Sequence, residues 1–276
     1  MWRRHAYPAS GAVPRLVGAA GPVLRFLQQI LIVIGAVVAY FGVRGLTEGD
    51  VTAAVRNAER VMAVERLLAL DRETWLQQAV LDVPFATTFF NWVYIYGHWP
   101  LITVVLCWLA TRHRPVFLRV RNAMLVSGGI GIFIFAALPV APPRLAGIGL
   151  VDTVTEQSNS YRVLQPAAFT NQYAAMPSLH VGWNLVVSLA VVLATRRLWL
   201  RVLAVAVTLS MDAAVVLTAN HYLLDVVAGL ALAGGAWLLV CRRSRRPAVL
   251  WQVGRRPKGD PDGGGPGGAT VPACGR

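Results

Sequence analysis

Long apolar runs separated by short polar breaks set the pattern of this chain. Val23 to Val43, Phe85 to Ala110, Val120 to Leu138, Ser178 to Ala194, Leu200 to Thr218 and Tyr222 to Val240 are apolar over most of their length. About 20 such residues suffice for a helix to cross a bilayer, so the pattern predicts six spans. The second run is the least uniform, with Asn91, Tyr94, Tyr96 and His98 in its first half. In the third, Gly128, Gly129 and Gly131 permit close helix approach. Gly45 to Pro84 differs: acids and arginines alternate with Val55, Val61, Val64, Leu67 and Leu68 at helical spacing. Asp50 or Thr52 caps the first helix of this segment, and Asp71 starts a second, shorter one. The segment is too charged to span and reads as an amphipathic hairpin on the membrane or over the bundle. The expected fold is therefore all-α, a polytopic six-helix bundle over residues 23–241 with an amphipathic stretch over 45–84. A basic tail precedes it (1–22), and a basic, then Gly- and Pro-rich tail expected to be disordered follows it (242–276).

Composition narrows the class. Of 276 residues, 56% are hydrophobic and only 14% charged, against about a quarter charged in ordinary soluble domains. The formal charge of +13 raises the question of nucleic acid. The basic residues, however, are nearly all arginines in the tails and between apolar runs, without a basic stripe interleaved with aromatics. They fit the orientation of spans instead. Arginines crowd the N-terminal tail, the loops after spans two and four, and the C-terminal tail, so both termini are expected in the cytoplasm. The N-terminal basic segment and first run read as a retained span that also serves as targeting signal. Cys107, Cys241 and Cys274 lie far apart without metal-ligand spacing, and nothing calls for a metal or a cofactor. An arginine-heavy, lysine-poor composition hints at a high-GC bacterium and hence a bacterial cytoplasmic membrane.

The candidate chemistry lies at the breaks. Met176-Pro177-Ser178-Leu179-His180 opens the fourth run, and Asn220-His221-Tyr222-Leu223-Leu224-Asp225 opens the sixth. With the orientation above, Arg144, His180 and His221 all fall on the outward side. Phosphoryl transfer requires a nucleophile in line, positive charge and hydrogen-bond donors on the nonbridging oxygens, and an acid for the leaving oxygen. A neutral imidazole serves as nucleophile without a metal. Asp225, four residues after His221, shares its helix face and is placed to fix the tautomer. Ser178 stands at the first turn of the fourth helix, where free N–H groups favour an anion. Arg144, in Pro142-Pro143-Arg144, offers a guanidinium fork.

These residues resemble a known family. Pro177-Ser178-Leu179-His180 is similar to the Pro-Ser-Gly-His element of the type 2 phosphatidic acid phosphatase superfamily, and His221 with Asp225 is similar to its final His-x3-Asp element. Together with Asn220-His221-Tyr222 and Ala141-Pro142-Pro143-Arg144-Leu145, they look most like the branch that includes inositol phosphorylceramide synthases. The resemblance implies His221 as nucleophile, His180 as general acid, Asp225 as the group that orients His221, and Arg144 and Ser178 as phosphate-binding residues. The chain departs from the pattern where Ala137 replaces a lysine and where Ala214 and Val215 replace a Ser-Arg pair. Those departures favour a transferase-like or specialised member over a simple phosphatidate phosphatase. The expected substrate is a lipid phosphate at the outer leaflet, among membrane lipids and without nucleic acid; protein partners are not legible. Two other classes stay open: an isoprenyl (pyro)phosphate phosphatase, and a non-catalytic scaffold or transporter, the last of which predicts an internal repeat that the sequence does not show. Asp212, inside the fifth run, is a costly charge outside the catalytic set.

Overall fold

The computed structural model describes residues 20–46, 50–157 and 172–244. Ten α-helices carry these residues: α1 (Ala20–Leu46), α2 (Val51–Leu67), α3 (Glu73–Leu81), α4 (Pro84–Tyr96), α5 (Trp99–Arg112), α6 (Arg114–Ala137), α7 (Thr153–Gln157), α8 (Leu179–Ala194), α9 (Leu198–Leu217) and α10 (Leu223–Ser244). Among them there is no strand, only an isolated parallel bridge between Val140 and Ala174. The expected tails lie outside the described residues, except that α1 begins at Ala20 and α10 continues to Ser244.

Among the described residues, three helices are long and apolar enough to cross a membrane: Arg114–Ala137, Leu198–Leu217 and Leu223–Arg243. A fourth span exists if Phe85–Tyr96 and Trp99–Arg112, bent by 46°, are taken together. Leu27–Ala39 within α1 and Leu179–Ala194 are shorter apolar stretches. The expected second run is thus two helices. Pro100 sits in the first turn of α5, where its missing N–H costs nothing, and polar His98 occupies the break.

At 1.5 Å per residue, the 16 residues of α8 reach only about 24 Å, short of a hydrocarbon core of about 30 Å. Yet α8 is the hub, packed on α6, α9, α10 and α5. Its residues Leu179, Trp183, Val186, Val187 and Ala190 join Ile102, Leu109, Phe117, Val120, Phe135 and Trp237 in the main core. Two glycines bring α8 and α10 into backbone contact. A Cβ on Gly182 would stand 2.7 Å from the Gly229 carbonyl oxygen, and one on Gly229 only 2.1 Å from that of Ser178. Of the three glycines in α6, Gly128 receives the Trp183 ring and Gly131 the Leu179 side chain, while Gly129 faces open space.

The charged segment forms α2 and α3. Asp50 is the cap, its carboxylate accepting the Thr52 N–H at 2.8 Å. The second helix starts two residues later than Asp71 predicts, with Arg72 at the cap and no side-chain capping bond. The face of α2 turned inward is Ala54, Asn57, Ala58, Val61 and Glu65, whereas Val64, Leu67 and Leu68 are exposed. Side-chain amides tie this hairpin and α4 to the loops around the site. Asn57 donates to the Pro139 carbonyl at 2.9 Å. Buried Gln77 donates to the Val151 carbonyl at 2.8 Å and accepts the Val151 N–H at 2.9 Å. Asn91 donates to the Thr153 carbonyl at 3.0 Å and accepts the Thr153 hydroxyl at 2.8 Å.

Candidate active site

The two motifs meet. Ser178 caps α8, and its N–H donates to the Asp225 carbonyl in the first turn of α10 at 3.1 Å. His180 therefore faces the α9–α10 turn, and its ring lies 5.8 Å from that of His221, centroid to centroid. The turn is pinned from behind. The N–H groups of Asn220 and His221 both donate to the Val215 carbonyl, at 3.0 and 2.9 Å. The Arg144 N–H donates to the Ala219 carbonyl at 3.0 Å.

His221 Nδ1 is 2.8 Å from the Ala175 carbonyl oxygen. A carbonyl only accepts, so Nδ1 carries the proton and the neutral ring presents its lone pair at Nε2. Asp225 Oδ2 is further away, 3.4 Å from the same nitrogen, and accepts the Tyr222 N–H at 2.9 Å. The sequence spacing assigns the orienting role to Asp225. The structure puts a backbone carbonyl nearer and leaves Asp225 as the adjacent buried charge. The Ala175 carbonyl arrives through the long loop after α6: Val140 N–H donates to the Tyr173 carbonyl at 2.7 Å and Ala175 N–H to that of Val140 at 3.3 Å.

The remaining expected residues are also here. Ser178 is fully buried, and its hydroxyl has no hydrogen-bond partner among the described residues. The first intrahelical bond of α8 runs from the Gly182 N–H to the Ser178 carbonyl, so the N–H groups of residues 179–181 precede it at the helix end. Arg144 is next to the turn, but its fork is partly committed: Nε meets Asp152 Oδ2 at 3.0 Å, and Nη1 donates to Asn220 Oδ1. No group of three or more His, Cys, Asp or Glu among the described residues is arranged to hold a metal. Asp212, by contrast, lies outside this cluster on α9, with Oδ1 buried and without a hydrogen-bond partner among the described residues.

Two features surround the expected site residues. The α4–α5 break carries His98 into the interior, with its ring 4.2 Å from that of His180 and parallel to Trp183 at 5.9 Å. Tyr94 stacks on His180 from the same side at 4.8 Å. Asn184 Nδ2 donates to the His180 carbonyl at 2.9 Å and lies 3.3 Å from His98 Nδ1, which makes that nitrogen the acceptor. His98→Phe preserves the ring but strands a buried Asn184 N–H. A loss of about 1–3 kcal/mol is expected, read as a lower melting temperature. The second feature is a pair of acids, Glu65 and Glu73, behind the α10 start. The signal for Glu65 was available, since it continues the stripe Ala54, Ala58, Val61 at helical spacing.

A family model described as the PAP2 superfamily matches residues 59–239, which takes in both histidine motifs and both acids. No curated protein and no solved structure matches the chain.

Proposed function

Because the chain belongs to the PAP2 superfamily, a family of phosphatase-type membrane enzymes, we propose that it cleaves or transfers the phospho-group of a lipid through a covalent intermediate on His221. The observation that carries this reading is the occupied Nδ1 of His221, which leaves the lone pair at Nε2 on a ring 5.8 Å from that of His180. In the first step Nε2 attacks phosphorus, the bond from phosphorus to the lipid oxygen breaks, and protonated His180 gives its proton to that oxygen. The positive charge that develops on the His221 ring is stabilised by Asp225 beside Nδ1. In the second step water, or an acceptor alcohol, attacks phosphorus. His180, now neutral, takes the proton, and the nitrogen–phosphorus bond returns its pair to Nε2. No step calls on a metal.

The Ser178 hydroxyl, the N–H groups at the start of α8, and the remaining Nη2 of Arg144 bind the phosphate oxygens. A buried hydroxyl without a protein partner fits that role, since such groups are otherwise rare. The membrane arrangement proposed with this chemistry has six crossings: α1, the bent α4–α5 pair, α6, α8, α9 and α10. Both termini are cytoplasmic and the site faces outward, in keeping with the arginine distribution. The exposed Leu67, Leu68 and Trp75 of the hairpin rest in the outer interface. Within the superfamily we favour a headgroup transferase of the inositol phosphorylceramide synthase-like branch, on the grounds that Ala137, Ala214 and Val215 stand where phosphatase-type members carry charged and polar residues.

The test uses purified protein in detergent with chelator. Phosphatidic acid, an isoprenyl phosphate, and phosphatidylinositol with ceramide or diacylglycerol acceptor are offered in turn. Rapid acid-free quenching and mass spectrometry then look for a phospho-adduct on the peptide containing His221. The adduct and a turnover product that persist in chelator are the expected result. Free phosphate identifies a phosphatase, and a headgroup-bearing acceptor identifies a transferase. Turnover with the adduct on another residue, or turnover lost in chelator and restored by a divalent metal, overturns the mechanism.

A further inference from the structure

We propose that Glu65 and Glu73, carried by the α2–α3 hairpin, are positioning residues for His221, holding the start of α10 with one proton kept between the two carboxyls. This rests on the function proposed above. The first N–H groups of a helix lack intrahelical partners, and at α10 three of them end on three carboxyls from three elements. Tyr222 N–H donates to Asp225 Oδ2 at 2.9 Å, Leu223 N–H to Glu73 Oε1 at 3.0 Å and Leu224 N–H to Glu65 Oε1 at 2.7 Å. The two outside acids reach across 150 and 159 residues of sequence. All three carboxyls are buried, at 1% exposure for Glu65, 6% for Glu73 and 0% for Asp225. This cradle begins one residue after His221, so it fixes where the ring sits relative to the Ala175 carbonyl and His180.

A helix N-terminus welcomes negative charge, but three ionised carboxylates packed together out of water repel one another. The arrangement resolves this at Glu65. Burial pushes its carboxyl up to about 8, against the pull of the Leu224 N–H, with further upward pressure from the charge and hydrogen bond of Glu73 and the charge of Asp225. Glu65 Oε2 is buried and no hydrogen-bond donor reaches it among the described residues, and a proton on it, donated to the Glu73 carboxyl, satisfies it. The groups that face Glu65 are Glu73 from α3 and Asp225 and the Tyr222 phenol from the α10 start, all acidic. Loss of the shared proton therefore adds repulsion at the point where the hairpin meets the histidine-bearing segment.

The sign follows from proton counting. Between about 4.5, the ordinary value, and about 8, the folded protein holds a proton that the unfolded chain has released. Stability then falls as pH rises through that window and levels off above it. Glu65→Gln stays neutral while keeping an acceptor for Leu224 and a donor for Glu73. The full-length protein in detergent is the material, with Glu65→Gln and Glu65→Leu beside wild type. The melting temperature of wild type is expected to fall from pH 5 to pH 8.5, and that of Glu65→Gln to fall less. Glu65→Gln is expected to retain kcat within a few-fold and to lack the fall in kcat that release of the Glu65 proton is expected to cause in wild type near pH 8. In Glu65→Leu kcat is expected to drop on the order of 10–100-fold with little change in KM, as misplacement of a reacting group predicts. Equal melting slopes in wild type and Glu65→Gln, or the same alkaline fall in kcat in both, overturn the proposal. If His221→Ala keeps full activity, the functional reading fails by itself, and the melting slopes still decide whether the shared proton exists.

Discussion

His221→Ala is expected to abolish turnover on whatever lipid phosphate the wild type accepts, by on the order of 10⁴-fold or more. The magnitude follows from the role: removing a covalent nucleophile forfeits the whole two-step route, and what survives is substrate positioning alone. The structure sharpens the prediction, because His221 Nδ1 is committed to the Ala175 carbonyl and only Nε2 is available for attack. His221→Gln, whose side-chain amide nitrogen stands near the Nε2 position without a lone pair to offer, is expected to be as inactive as alanine. His221→Asn, which mimics the Nδ1 side, is expected to keep the Ala175 hydrogen bond and still show no adduct. Initial rates with circular dichroism as a folding control check all three. Residual activity above about a hundredth of wild type in folded His221→Gln contradicts covalent catalysis at Nε2.

Gly229→Ala is the second large effect expected, and it arises without replacing any side chain of the site. The new Cβ would stand 2.1 Å from the Ser178 carbonyl oxygen, 2.9 Å from its carbon and 3.2 Å from its nitrogen. All three are backbone atoms at the start of the most enclosed helix, so no flexible side chain can swing away. The α8 start must move off α10, which breaks the 3.1 Å bond from the Ser178 N–H to the Asp225 carbonyl and carries His180 away from His221. A shift of about 1 Å in a reacting group costs on the order of 10²-fold in rate, and overpacking of this kind costs about 1–3 kcal/mol of stability. Two other glycines of α10 serve as controls. Gly234 would meet only Leu185 Cδ2 at 3.8 Å, and Gly235 nothing within 4 Å. Their alanine variants are expected to match wild type in rate and, through helix propensity, to gain up to about 1 kcal/mol. Parallel measurement of kcat and melting temperature separates the sites; equal behaviour of all three variants contradicts the account of the α8–α10 crossing.

The apolar pattern carried most of the helix positions, because a run with polar ends is a sufficient signal for a buried or membrane helix whatever its neighbours. It was less informative about length. The second run, already the least uniform, is two helices that break at His98, and the cue was the Pro100 that starts a fresh helix. Likewise α8 reads as one more span, although its 16 residues are largely sheltered by other helices. The histidines and their neighbours were legible because their chemistry resides in side chains at short spacing. The partners that define how His221 works were not. Ala175 contributes through its carbonyl and arrives by tertiary routing through the loop after α6. Glu65 and Glu73 act across more than a hundred residues, from a segment whose charges look like those of a solvated surface. Burial decides which of those charges matter: Glu65 is enclosed while the neighbouring Leu67 is 85% exposed, an inversion that helical spacing indicates and residue hydropathy alone does not.

The carbonyl of residue 175 also bears on which changes the protein can absorb. Every amino acid supplies that oxygen, so exchanges at position 175 are limited by the space around a buried methyl group and by the N–H that meets the Val140 carbonyl, which proline lacks. Serine or glycine there would leave the protonation of His221 untouched. A deletion of one residue between Tyr173 and Met176 would keep every chemically notable side chain and still misplace the acceptor. What the site requires at this position is thus a length of chain rather than a letter. Drift in sequence would be tolerated there, and drift in loop length would not.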